Sequence, residues 1–196
     1  MNFKYFDKPF NYYELQSCLP EIYLKEVIQI CNTLEPSNTL SGTRGDMSNR
    51  SFINKKNNYD LGNFLNSHFK NLTKEIYTKE NNKRISSIDF SESRFEIVHD
   101  GPGFWQIPHL DVMDKLITII VYLGTTTNSQ NNLGTDIFDN KKSFYKSIPY
   151  DKNLGLAFIP SINSWHGFNK EKFTEGTRKL LIVNFVLNWK QKNELF

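Results

Sequence analysis

The spacing of apolar and polar positions changes near residue 85. Before that point it is helical. Ile22, Leu24, Val27, Ile28, Ile30 and Cys31 form a mostly one-sided stripe over residues 21–34, since positions three and four apart share a helix face. Pro20 suits the first turn and Pro36 stops the helix, because proline has no N–H to donate. A second helix is predicted over residues 60–79, with Asp60 as N-cap and Leu61, Phe64, Leu65, Leu72 and Ile76 setting the apolar period. Residues 38–58 between them are rich in Ser, Asn, Gly and charge. They read as a long surface loop or lid, from which Arg44 and Arg50 are candidates to clamp an anionic substrate.

After residue 85 the runs are short and β-rich: 87–98, 116–123, 133–138, 154–159 and 178–187, separated by Gly, Pro, Asn and Asp. Such spacing predicts a β-sandwich or barrel. In the run 116–123, Ile117, Ile119, Val121 and Leu123 share one face and Leu116, Thr118, Ile120 and Tyr122 the other. The aliphatic face suits packing and the mixed face suits a ligand pocket. The polar run 125–132 reads as an exposed loop.

Composition narrows this further. A chain of 196 residues with 16 Phe, 9 Tyr and 3 Trp has material for one well-filled core. One domain is expected over 1–196, with mostly helical support and the lid loop in 1–84 and the β core in 85–190. The 24 basic residues are scattered among 21 acidic ones, for a net charge of +3. Lys55–Lys56 and Lys141–Lys142 are only short pairs, so no nucleic-acid partner is expected. No apolar run reaches membrane-spanning length, and residues 1–7 lack the pattern of a secretory leader. Cys18 and Cys31 have no metal-type or redox-type spacing and read as reduced thiols. A cytoplasmic protein without a membrane partner is expected.

Chemistry concentrates in the C-terminal half. In the extended segment Pro108-His109-Leu110-Asp111, residues two apart point the same way, so His109 and Asp111 can reach one metal. Ser164-Trp165-His166-Gly167 follows the strand-like run 155–160 and offers a third ligand, beside which Trp165 is placed to brace His166. Two imidazoles and one carboxylate on one face of a metal suit non-haem iron(II) with open positions. Arg178 enters an apolar strand twelve positions after His166. A buried guanidinium needs a partner, and a dicarboxylate would supply one through paired hydrogen bonds. Phe104 and Trp105 precede the metal motif and divide between lining a substrate pocket and packing the core. His68 belongs to the second helix and reads as surface or packing. A metal- or ligand-binding jelly roll without activity would not need Arg178. A zinc hydrolase with the same ligand types would want a general base instead of a dicarboxylate anchor.

Residues 94–186 resemble the 2-oxoglutarate/Fe(II) oxygenase superfamily, especially its prolyl-4-hydroxylase-like branch. The features run in order: Gly101-Pro102-Gly103, Pro108-His109-Leu110-Asp111, the strand 116–123, Gly134-Thr135-Asp136-Ile137-Phe138, the run 155–160, Trp165-His166 and Gly176-Thr177-Arg178. The resemblance implies a mainly β fold, a double-stranded β-helix (a cupin-like jelly roll) with supporting N-terminal helices. It makes His109, Asp111 and His166 the Fe(II) ligands and Arg178 the partner of the distal carboxylate of 2-oxoglutarate. It implies a dioxygenase that consumes 2-oxoglutarate and O2, releases succinate and CO2, and hydroxylates an amino-acid, peptidyl or other small-metabolite C–H bond. Asp111 favours hydroxylation over halogenation, where a small residue would stand. Many relatives carry a Tyr before the Gly that precedes the His-x-Asp motif. Here Val98-His99-Asp100-Gly101 has none, leaving His99, Thr118 or Tyr122 to make that cosubstrate contact.

Overall fold

A hairpin opens the chain, although its residues carry no helical or long strand-like signal. Strands β1 (Asn2–Phe6) and β2 (Tyr12–Gln16) pair antiparallel, and Tyr12, Tyr13 and Leu15 are buried. The computed structural model describes residues 1–36, 50–53, 58–124, 133–169 and 175–187. Arg44, Lys55–Lys56 and the run 125–132 lie outside the described residues.

Helix α1 (Glu21–Asn32) follows Pro20. Strand β3 (Arg50–Ile53) lies inside the segment expected to be all loop. Helix α2 (Tyr59–Lys79) starts one residue before Asp60, so Asn58 and not Asp60 is its N-cap, without a side-chain capping bond. Asp60 sits in the first turn, where its charge still favours the helix dipole. The expected strand over 87–98 is corrected as well. Residues Lys83–Ser86 form a 3-10 turn and Ser87–Phe90 a short helix, α3. Burial of Ile88 and the Lys74–Asp89 ion pair (2.6 Å) hold α3 against α2. Strand β4 runs only from Glu92 to Asp100.

The remaining strands are β5 (Gln106–His109), β6 (Lys115–Tyr122), β7 (Asp136–Phe138), β8 (Phe144–Ser147), β9 (Leu154–Phe158), β10 (His166–Phe168) and β11 (Arg178–Val186). Seven of the eleven make one sheet in the order β1-β2-β9-β6-β11-β4-β3; the other four make a second, β5-β10-β7-β8. All pairs are antiparallel. Two facing antiparallel sheets with helices on one outer side are a mainly β jelly roll. The N-terminal half supplies both edges of the large sheet, β1–β2 and β3, as well as the helices.

The strands of the large sheet other than β3 divide their side chains between two cores. Ile117, Ile119 and Val121 of β6 and Leu181, Val183 and Phe185 of β11 pack with Leu24 and Val27 of α1 and Leu65 and Phe69 of α2. The opposite face turns Val98, Ile120, Tyr122, Phe158 and Leu180 inward with Ile137 and Phe168 of the small sheet. Alternation along β6 therefore separates packing from pocket, as its sequence indicates. Among the described residues no helix is long and apolar enough to cross a membrane.

Candidate metal centre

Strand register brings the two histidines together. His109 ends β5, His166 begins β10, and the two are direct cross-strand partners. Their rings lie 4.3 Å apart between centroids. Asp111 leaves β5 two residues later and reaches across to the large sheet. There Thr118 of β6 donates to its Oδ2 at 2.5 Å, and Lys115 contacts its Oδ1 at 2.6 Å. Potential ligand atoms of His109, Asp111 and His166 all lie within 4.8 Å of one another. His166 comes from a segment 55 positions after Asp111, so its meeting with the His109–Asp111 pair is a product of the fold.

Both imidazoles are oriented in the same way. His109 Nδ1 bonds the carbonyl of Ile107 at 2.9 Å, and His166 Nδ1 bonds that of Ser164 at 3.0 Å. A carbonyl only accepts, so each Nδ1 carries the proton and each Nε2 is left as a lone-pair donor. Burial pushes the His166 pKa down to about 4, against the pull of Asp111. The ring is neutral at neutral pH, as a metal ligand must be. Burial would raise the Asp111 pKa, but His166, Lys115 and Thr118 together hold it below the usual carboxylate value. Two imidazoles that present Nε2 beside an ionised carboxylate fit a divalent transition metal.

The triad opens into a cavity of about 240 Å3 that also contains Gln106, Thr118, Ile120, Thr135, Leu180, Ile182, Asn184 and Arg178. Arg178 begins β11 and is buried. Its charge is already balanced within the protein, which corrects the expectation that burial requires a bound dicarboxylate. Asp100, its cross-strand partner on β4, accepts from Nη1 at 3.0 Å. Nε donates to Leu133 O at 2.7 Å, Nη2 lies 3.5 Å from Thr135 Oγ1, and the guanidinium sits 4.4 Å from the Phe168 ring centre. A guanidinium has five N–H donors. Among the described residues these contacts use three.

The other sequence candidates separate by direction. His99 is turned away from the cavity: alternation along β4 points it to the helical side, where Nδ1 bonds Leu34 O at 2.6 Å. Tyr122 shares the inner face with Thr118 but lies outside the cavity lining. Its hydroxyl accepts from Thr135 N at 3.1 Å and its ring packs on Tyr150 at 5.2 Å. Only Thr118 of the three reaches the cavity, and it is engaged with Asp111. Phe104 is core, near Phe168, and Trp105 does not line the cavity. His68 bonds Cys18 O on the far side of the large sheet. Against His166 the bracing ring is Phe158, 4.7 Å away; Trp165 instead meets Lys142. Arg50 does line the cavity, paired with Glu96.

Lys115, Asp100, Phe158, Arg94 and Glu96 were not singled out by the sequence. Lys115 stands four positions after Asp111, a weak signal. The others depend on cross-strand register, which one sequence does not reveal.

No family model and no curated protein sequence matches the chain. Solved structures do. A prolyl-4-hydroxylase from Pseudomonas putida aligns with a TM-score of 0.63 at 12% identity, over 90% of this chain and 92% of that one. A viral collagen prolyl hydroxylase from Paramecium bursaria Chlorella virus-1, in complex with 2OG, aligns at 0.59 and 15% identity, over 89% and 94%. A prolyl hydroxylase from Trichoplax adhaerens, in complex with a hypoxia inducible factor oxygen degradation domain peptide fragment, aligns at 0.63 and 15%, over 94% and 86%. At these identities the likeness is one of fold, and the chain has the jelly-roll fold of the prolyl-4-hydroxylase-like oxygenases.

Proposed function

We propose that the protein is an Fe(II)- and 2-oxoglutarate-dependent dioxygenase that hydroxylates a C–H bond of an amino-acid, peptidyl or other small substrate. The observation that carries this is the convergence of His109, Asp111 and His166 in one cavity with Arg178. Nε2 of each histidine and one oxygen of Asp111 would hold the metal. Iron(II) at that position supplies the redox chemistry that couples decarboxylation of 2-oxoglutarate by O2, giving succinate and CO2, to hydroxylation of the substrate.

The chain's own residues bind and orient. The N–H donors of Arg178 not used among the described residues would take the distal carboxylate of 2-oxoglutarate, while Asp100 and Leu133 O fix the plane of the guanidinium. Leu180, Ile182 and Ile120 give the cavity an apolar floor, which keeps water from the reacting groups. Small-molecule pockets run from roughly 300 to 1,000 Å3. At about 240 Å3 this cavity suits a cosubstrate and the reacting end of a substrate, with the rest of the substrate outside. The fold shared with the viral enzyme, whose structure contains 2OG, supports the cosubstrate assignment.

Anaerobic addition of 2-oxoglutarate to the Fe(II) protein is expected to give a weak visible absorption band. His109→Ala should abolish it, and Arg178→Ala should raise the 2-oxoglutarate concentration it requires. No band, and no succinate formed under oxygen, would overturn the proposal in favour of a non-catalytic or hydrolytic metal site.

A further inference from the structure

The cavity has an imbalance of charge on one wall. Its lining holds four cations, Arg50, Arg94, Lys115 and Arg178. Three are matched at close range: Arg178 by Asp100, Lys115 by Asp111 and Arg50 by Glu96. Among the described residues Arg94 has only a longer share of Glu96, Nη2 to Oε2 at 3.7 Å, which is beyond a good hydrogen bond. The Arg50 and Glu96 side chains are 8% and 6% exposed, whereas that of Arg94 is 54% exposed at the mouth. The Phe52 ring, 5.0 Å from the Arg94 guanidinium carbon, supports it from β3. Glu96 and Phe52 therefore orient Arg94 without consuming its donors.

Register places this group relative to the metal ligands. Arg94 is the cross-strand partner of Asn184, and Asn184 is the partner of Thr118, which holds Asp111. All three line the cavity. Two strand spacings of about 4.8 Å put the Arg94 backbone roughly 10 Å from that of Thr118. An anion at Arg94 and a C–H bond at the triad would thus be separated by about one long amino-acid side chain.

We propose that Arg94 is a specificity-determining residue and that the substrate carries a carboxylate, which docks on Arg94 while the other end reaches the His109–Asp111–His166 centre. This rests on the oxygenase reading and names its substrate class. The sequence put an anion clamp on Arg44 and Arg50; Arg50 instead buttresses Glu96, and Arg94 presents the charge. The carboxylate can belong to a free acid or to an acidic side chain of a peptide, and the test separates them.

Hexanoate, its neutral counterpart hexanamide, and a blocked Gly-Glu-Gly tripeptide are titrated calorimetrically into protein loaded with Mn(II) and saturating 2-oxoglutarate. Hexanoate or the tripeptide is expected to bind at least tenfold more tightly than hexanamide. Whichever binds tighter identifies the source. Arg94→Met should weaken that anion at least tenfold, and Arg94→Lys should restore part of it. Arg94→Gln replaces the Met variant if the latter does not fold. Binding of both hexanoate and the tripeptide no tighter than that of hexanamide, no binding of either anion, or binding indifferent to Arg94 overturns the proposal. Failure of 2-oxoglutarate itself to bind the wild-type Mn(II) protein overturns the oxygenase reading instead. The dependence of hexanoate on Arg94 is then read on the Mn(II) protein alone.

Discussion

At the scale of single residues, the metal centre depends on groups that never touch the metal. Thr118 donates to Asp111 Oδ2 and Lys115 pairs with Oδ1, so the carboxylate is fixed before a metal arrives. Partners of this kind typically matter by 10- to 100-fold in metal affinity. Thr118→Val keeps the shape and removes the donor, and is expected to weaken Mn(II) binding about tenfold by titration calorimetry, with little change in melting temperature. Asp100→Ala acts differently, because it leaves the Arg178 guanidinium buried without its carboxylate. Breaking a buried pair from one side costs about 3–5 kcal/mol, to be read as a lower midpoint of urea unfolding. His166 sets a pH window. Its folded pKa is pushed by burial to about 4, below its unfolded value near 6.5. The stability that follows is fully present above pH 6.5 and is lost as pH falls toward 4. The metal-free protein should therefore lose stability across that interval, and His166→Gln should flatten the loss. That His109, Asp111 and His166 come together, and that Arg178 lines the same cavity, accords with their chemistry and order along the chain. Lys115, Asp100 and Arg94 were not legible in the sequence, since their roles arise from which strand lies beside which.

At the scale of elements, the close approach of β5 and β10 joins the two histidines. Gly167 makes it possible: a Cβ there would stand 2.8 Å from Gln106 O and 3.0 Å from Ile107 O. Both contacts are with backbone, which cannot swing aside. Gly167→Ala is expected to force the strands apart, separating His109 from His166. It should weaken Mn(II) binding and lower the melting temperature together, whereas Gly176→Ala, with open space around it but a φ of +81° that strains alanine, should lower the melting temperature and leave Mn(II) affinity intact. The long helices and the strands β6 and β11 were legible because their apolar periods extend over many residues, and β7 and β9 because turn residues bound the runs 133–138 and 154–159. Strands β5, β8 and β10 have three or four residues each, too few for a period to emerge. The hairpin β1–β2 was missed for a related reason: its five-residue strands are full of Tyr and Phe on both faces. In residues 87–90 tertiary burial of Ile88 outweighed local strand preference.

At the scale of the whole molecule, the triad joins the two sheets. His109 and His166 belong to the small sheet, while Asp111 is held by Thr118 of the large one. The ligand atoms converge only when both sheets are formed and facing each other, so a metal at the proposed site would bind the folded chain and have little affinity for the unfolded one. By mass action such a ligand at 100 times its Kd stabilises the fold by about 2.7 kcal/mol. For a chain of this size each kcal/mol moves the melting temperature by about 2–4 °C. Mn(II) at that excess is therefore expected to raise it by roughly 5–10 °C. 2-Oxoglutarate should add a further rise only with the metal present, since the proposed site would hold it between Arg178 and the metal. Chelation should reverse both shifts. His109→Ala should abolish the first and, with it, the second; Arg178→Ala should keep the first and diminish the second. A rise from 2-oxoglutarate that is equal with and without Mn(II) would mean that the dicarboxylate binds apart from the triad, and the two halves of the site would have to be treated as separate.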